Sequence, residues 1–227
     1  MTLISAQRAT FGAGGDEPYA HALRRNDHVE LVLLPTGADV ARSTMMDVAR
    51  WNAPADLADL TLLRAATGPL LDIGCGPGRM VRAAQQVGLE VLGIDVSPTA
   101  VAIAREAGLP VMQGSVFDDV PRAGAWQTVL LVDGNIGIDG DITALLRRCM
   151  NLVAAGGDIV VELHSDRDLH DVYSAHLVGT DGGRSESFPW AQIGINPMVD
   201  LAHELGLRCR QAWELSGRTF CRLVTTK

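Results

Sequence analysis

The stretch Leu70-Leu71-Asp72-Ile73-Gly74-Cys75-Gly76-Pro77-Gly78-Arg79-Met80 constrains the fold of this chain more than any other. An apolar strand runs into an acid, three alternating glycines and a helix start. Glycine takes backbone conformations closed to residues with a Cβ, so such a turn lets main-chain N–H groups approach a ligand at the mouth of the next helix. The spacing departs from the dinucleotide pattern G-x-G-x-x-G, whose third glycine packs helix onto strand. Here the third glycine, Gly78, comes one residue early and Arg79 stands in its place. Asp72 would repel a pyrophosphate, whereas it suits the cationic end of a nucleotide that lacks one.

Three further segments follow in order. Residues 90–95 form a second short apolar strand ending in Asp95, and Val96-Ser97-Pro98 supplies a capping serine and a proline for the first helical turn. Residues 112–119 hold Ser115, Val116 and Phe117, and residues 126–135 carry a strand into Asp133-Gly134-Asn135. Together these motifs resemble the class I S-adenosylmethionine-dependent methyltransferases, over roughly residues 68–163. The resemblance implies S-adenosylmethionine as cofactor, with Asp72, Gly74, Gly76 and Gly78 around its amino acid end. It places Asp95 and Val96 at the ribose, Ser115, Val116 and Phe117 at the adenine, and Asp133 near the methyl group. Ser115 departs from the family, which often has Asp there. Arg50 is a candidate bidentate clamp for the methionine carboxylate, beside its reading as a solvated arginine.

The 227 residues can form one domain with a substantial core. The expected division is an N-terminal lid or cap segment, 1–54, and a methyltransferase domain, 55–227, with a substrate loop at 164–193. The formal net charge of −8 opposes a nucleic-acid partner, which needs clustered Lys and Arg. Cys75, Cys149, Cys209 and Cys221 lack C-x-x-C spacing and read as buried thiols. With no cationic and apolar leader at the start and no run of membrane-spanning length, the expectation is a cytoplasmic protein without a membrane partner. Oligomeric state is left open.

Short β-rich segments alternate with helical ones, which argues for a doubly wound, mostly parallel α/β sheet. Strands are expected near 69–73, 90–94, 110–113, 127–132 and 157–163, and helices near 78–87, 98–107 and 140–153. Gly156-Gly157 is expected where the last of these stops. A helix from Asn196-Pro197 to Leu205 leads to strands at 207–215 and 218–225, joined by a tight Ser216-Gly217 link, so one strand of the sheet should be reversed. The resemblance implies a seven-stranded, Rossmann-like sheet. Before the glycine turn, the sequence suggests a helix at 17–27, strands at 28–34 and 40–48 around a turn at 35–37, and a helix from Pro54 to Ala66.

His164 lies at the carboxyl end of the fifth strand, where open α/β sheets place their reactive groups, and is the candidate base beside its reading as a surface histidine. The acidic and histidine-bearing run 164–171 matches no tight metal site, so no metal is expected. Trp51, Asn135, Arg184 and Trp190, with Phe188 nearby, are candidates for an acceptor cavity, and the aromatic ones equally for lid packing. The implied reaction is in-line methyl transfer to a small-molecule acceptor. A nicotinamide-dependent Rossmann oxidoreductase, a non-catalytic S-adenosylmethionine-binding module and a protein methyltransferase are the alternatives.

Overall fold

The computed structural model describes residues 9–14, 17–25, 30–35 and 44–226. The elements are α1 (Pro18–Arg25), β1 (Glu30–Pro35), β2 (Thr44–Asp47), α2 (Val48–Asn52), α3 (Leu57–Arg64), β3 (Leu70–Ile73), α4 (Arg79–Gln86), β4 (Val91–Asp95), α5 (Pro98–Glu106), β5 (Val111–Gln113) and β6 (Trp126–Leu131). A 3-10 segment, Asn135–Gly140, precedes α6 (Ile142–Leu152), β7 (Val153–Leu163), β8 (His170–Val178), β9 (Phe188–Ile193), α7 (Ile195–Glu204), β10 (Leu207–Leu215) and β11 (Arg218–Thr225).

A seven-stranded sheet runs in the order β10-β11-β7-β6-β3-β4-β5. Strands β3 to β7 pair in parallel, and β11 alone is reversed, antiparallel to both β7 and β10. β3 is buried along its whole length, as a central strand covered on both faces must be. Helix starts follow local chemistry. Ser97 accepts from the Ala100 N–H and Pro98 fills the first turn of α5. Asp56 and Asp59 close a reciprocal capping box, so α3 begins at Leu57, three residues after the expected Pro54 start. Gly156-Gly157 lies inside β7, because α6 already ends at Leu152.

The second sheet has four strands in the order β2-β1-β8-β9, all antiparallel. Residues 164–193, expected as a loop, therefore contain two strands that pair with the N-terminal ones. The expected turn at 35–37 and much of the expected strand 40–48 lie outside the described residues; what is described of the latter is β2, which passes directly into α2. Tyr19, Leu23, Val48, Leu177, Phe188 and Trp190 form the core under this sheet.

Candidate functional site

The carboxyl ends of β3, β4 and β6, with the turns that leave them, border a cavity of about 370 Å³. The glycine turn is pinned from two sides. Its Gly74 and Cys75 N–H groups donate to the main-chain oxygen of Ile94, at 2.8 and 3.1 Å, and Asn135 Nδ2 donates to the oxygens of Ile73 and Gly74, at 2.8 and 3.0 Å. Asn135 thus borders the cavity while its amide donors are committed to the turn. Gly76 has φ +53°, and a Cβ there would meet only the Tyr19 hydroxyl, 3.5 Å away, so the space above it belongs to the cavity. Gly78 does different work. A Cβ on it would lie 2.4 Å from Leu109 Cδ1, and the residue packs α4 against the chain after α5 without reaching the cavity wall.

Asp95 holds the turn as well as facing the cavity: its carboxylate accepts from the N–H groups of Gly76 and Ser97, both at 2.7 Å. Burial raises its pKa against these N–H groups, which lower it. Asp72 has no such relief. It is 1 % exposed, and neither carboxylate oxygen has a hydrogen-bond partner among the described residues. Burial, then the charges of Asp133 and Asp95, push its pKa well above the usual carboxylate range. Val96, Ser115, Val116 and Phe117 line the far end, where the Phe117 N–H donates to Ser115 Oγ at 3.2 Å and the Phe117 ring stays partly exposed.

Asp133, with φ +56°, lines the cavity but is already claimed. Arg79 Nη2 donates to its Oδ2, while Arg50 Nη1 and Arg218 Nη2 lie 3.3 and 3.4 Å from its Oδ1. Glu162 Oε2 accepts from the Asp133 N–H at 2.6 Å and shares Arg218 in a bidentate pair at 2.7 and 2.6 Å.

Besides Gly78, the structure separates three expected residues from the cavity. Arg50 is outside the wall, its guanidinium spent on Asp133 and on Asp56 at 2.9 Å. His164 Nδ1 accepts from the Asp166 N–H at 3.1 Å, so its ring closes the turn after β7 instead of reaching the cavity. Arg184 is exposed at the far end of β8, beside an isolated bridge to Val178. Trp51 and Trp190 do line the cavity, joined by Phe11 and Tyr19. Sequence reasoning missed these two rings, Asp139 and Arg79. The arginine had a signal, since it occupies the place where a dinucleotide turn keeps glycine, but it was read only as an absence. Among the described residues no cluster of His, Cys, Asp or Glu could hold a metal ion.

A sheet of this order, one reversed strand beside the last parallel one, and a glycine turn facing a strand-end acid define the Rossmann-like methyltransferase fold. Residues 70–157 match the family model described as a methyltransferase domain. It is similar to the ubiquinone biosynthesis O-methyltransferase of Xanthomonas euvesicatoria, 32 % identical over 106 residues. That match covers 44 % of this chain and 44 % of the relative, so the chain spans less than half the length of this curated relative. Among solved structures, an S-adenosylmethionine-dependent methyltransferase from Bacteroides fragilis in complex with S-adenosyl-L-homocysteine superposes with TM-score 0.78 at 22 % identity, over 98 % of this chain and 100 % of that one. The CcbJ methyltransferase from Streptomyces caelestis gives 0.58 at 18 %, over 78 % and 92 %. These two likenesses concern the fold.

Proposed function

We propose that the chain binds S-adenosylmethionine in this cavity and transfers its methyl group to a small-molecule acceptor. The observation that carries the reading is Asp72. A wholly buried carboxyl with two unpartnered oxygens at a cavity wall calls for a cationic hydrogen-bond donor, and the ammonium of a nucleotide-linked amino acid supplies one. Arg79 suits the neighbouring carboxylate, because its Nε is buried and has no hydrogen-bond partner among the described residues. Asp95, fixed by two main-chain N–H groups, suits a ribose diol, and Val116 and Phe117 offer apolar surface to a base. When bound, the cofactor contributes an electrophilic sulfonium methyl. The chain's own residues orient the two reactants and exclude water, which is most of what such a displacement needs.

The N-terminal elements supply Thr10, Phe11, Tyr19, Met46 and Trp51 to the cavity wall, which supports their reading as a lid, with residues 164–193 adding Trp190. The concave cavity, walled by aromatic rings on one side, suits a small-molecule acceptor. Four free cysteines, and no helix among the described residues long and apolar enough to cross a membrane, fit a cytoplasmic setting.

Titration calorimetry with S-adenosylmethionine and S-adenosylhomocysteine tests the reading. Both should bind, and Asp95→Ala should weaken both by about 1–3 kcal/mol in a protein whose circular dichroism stays native. Unchanged affinity would remove Asp95 from the site, and no binding at all would sink the assignment.

A further inference from the structure

The cavity holds more negative charge than the proposed cofactor uses. Its wall carries the carboxylates of Asp72, Asp95, Asp118, Asp133 and Asp139 against the single guanidinium of Arg79. Asp72 and Asp95 are assigned above, Asp133 is engaged by arginines, and Asp118 accepts from the Ser115 N–H at 3.3 Å. Asp139 is left. It makes no hydrogen bond or ion pair with any described residue, and it sits at φ +62° in the kink of the 3-10 segment. A non-glycine residue held in that conformation without local compensation points to a use.

Its surroundings say which. The segment bearing Asp139 is seated on β9: a Cβ on Gly137 would lie 2.7 Å from Trp190 Nε1, and one on Gly140 2.9 Å from Pro189 Cβ. This seats the segment against Trp190, one of a chain of rings that line the same cavity as Asp139. Phe11 lies 5.1 Å from Tyr19 and 5.4 Å from Trp190, and Tyr19 meets Trp51 edge-on at 5.7 Å. Aromatic faces with one uncommitted carboxylate recognise an organic ammonium.

Resting on the cofactor reading above, we infer that the methyl acceptor is a small hydrophobic amine, captured as its ammonium by Asp139 and the rings of Phe11, Tyr19, Trp51 and Trp190. A phenol suits this cavity poorly, because it offers no cation to Asp139 or to the ring faces. In the transfer, the acceptor ammonium first loses one proton to water. The nitrogen lone pair then forms the C–N bond as the C–S bond breaks, and that electron pair leaves on sulfur as a neutral thioether.

The probes are benzylammonium, benzyl alcohol and phenol, titrated by tryptophan fluorescence into protein saturated with S-adenosylhomocysteine. Benzylammonium should bind at least tenfold more tightly than either neutral probe. Asp139→Asn should remove that preference while leaving benzyl alcohol and S-adenosylhomocysteine binding unchanged; asparagine tolerates the left-handed backbone, so the variant should fold. Equal affinity for the three probes, or an Asp139→Asn variant that weakens all of them alike, overturns the acceptor assignment alone. Failure of S-adenosylhomocysteine to bind overturns the cofactor reading and this inference with it.

Discussion

Asp72 carries a desolvation cost that no hydrogen bond from the described residues relieves, and that has a measurable consequence. A carboxyl with its pKa raised well above the usual range by burial holds its proton to higher pH than a solvated carboxylate does. Pairing with an ammonium requires the charged form, so cofactor binding should release a proton at this site. Affinity should then rise with pH through the neutral range, up to the point where an α-amino group, at about 7.7–8.0, itself loses its charge. Calorimetry at pH 6.5 in phosphate and in Tris, whose ionisation enthalpies differ, should give different apparent enthalpies, and Asp72→Asn should make them equal. Equal enthalpies for the unaltered protein would mean that Asp72 does not ionise on binding. Asp72, Gly76 and Asp95 were legible in the sequence because strand, turn and helix follow one another within a few residues, and local geometry places them at the mouth of the sheet. Asp139, Tyr19 and Arg79 were not. Asp139 lies in a kinked segment with no periodicity to read, and Tyr19 reaches the cavity only because α1 packs against β8 and α5.

The smaller sheet shows the same limit for whole elements. The inner strands β3 and β6 of the large sheet announce themselves as short apolar runs because both faces are covered, whereas β8 alternates exposed and half-buried residues over its first half and is buried only at Ala175 and Leu177. Its partner β1 lies some 140 residues away in the chain, with Val32 opposite Val178, so no local pattern marks the pairing. The N-terminal elements also carry a titrating group. Glu17, one residue before α1, is partly buried; burial raises its carboxyl from 4.5 to about 7, opposed by the Gly14 N–H. The folded state binds this proton more tightly than the unfolded chain does. Stability from Glu17 is therefore present below pH 4.5 and is lost as pH rises from 4.5 to about 7. Glu17→Gln, which cannot ionise, should unfold at a higher temperature than the unaltered protein at pH 8, by about 2–6 °C if solvent screening at this half-exposed site leaves about 1–2 kcal/mol. The gap should close at pH 4.5. A gap of equal size at both pH values would assign the effect to packing instead of ionisation.

The charges of this acidic chain are organised across the fold in a way that net charge could not disclose. The formal −8 argued only against a polyanionic partner. In the structure, Asp59 of α3 is fully buried and joins Arg79 at the start of α4, Arg218 of β11 at 2.7 Å, and Arg50 of α2 at 3.7 Å. Asp133, after β6, and Glu162, on β7, complete the set. Six segments of the chain thus meet in one ion network that reaches the cavity wall at Arg79 and Asp133. Each buried ion costs several kcal/mol of desolvation, which the arrangement offsets only while every member is paired. Removing Asp59 leaves two nearly buried guanidiniums short of a partner, so Asp59→Ala should cost about 3–5 kcal/mol. For a chain of this size that lowers the unfolding temperature by on the order of 10 °C. The damage should also reach the cavity, although Asp59 is not part of its wall. Arg79 would lose the carboxylate that holds one side of its guanidinium and draw Asp133 with it. S-adenosylhomocysteine affinity, measured well below the new unfolding temperature, should therefore fall, whereas Arg122→Ala, which breaks the exposed pair with Glu90 and a stacking contact over the Trp126 ring away from the cavity, should leave that affinity unchanged. An Asp59→Ala protein that melts lower but binds with full affinity would reduce the network to a stabilising device and detach it from the site.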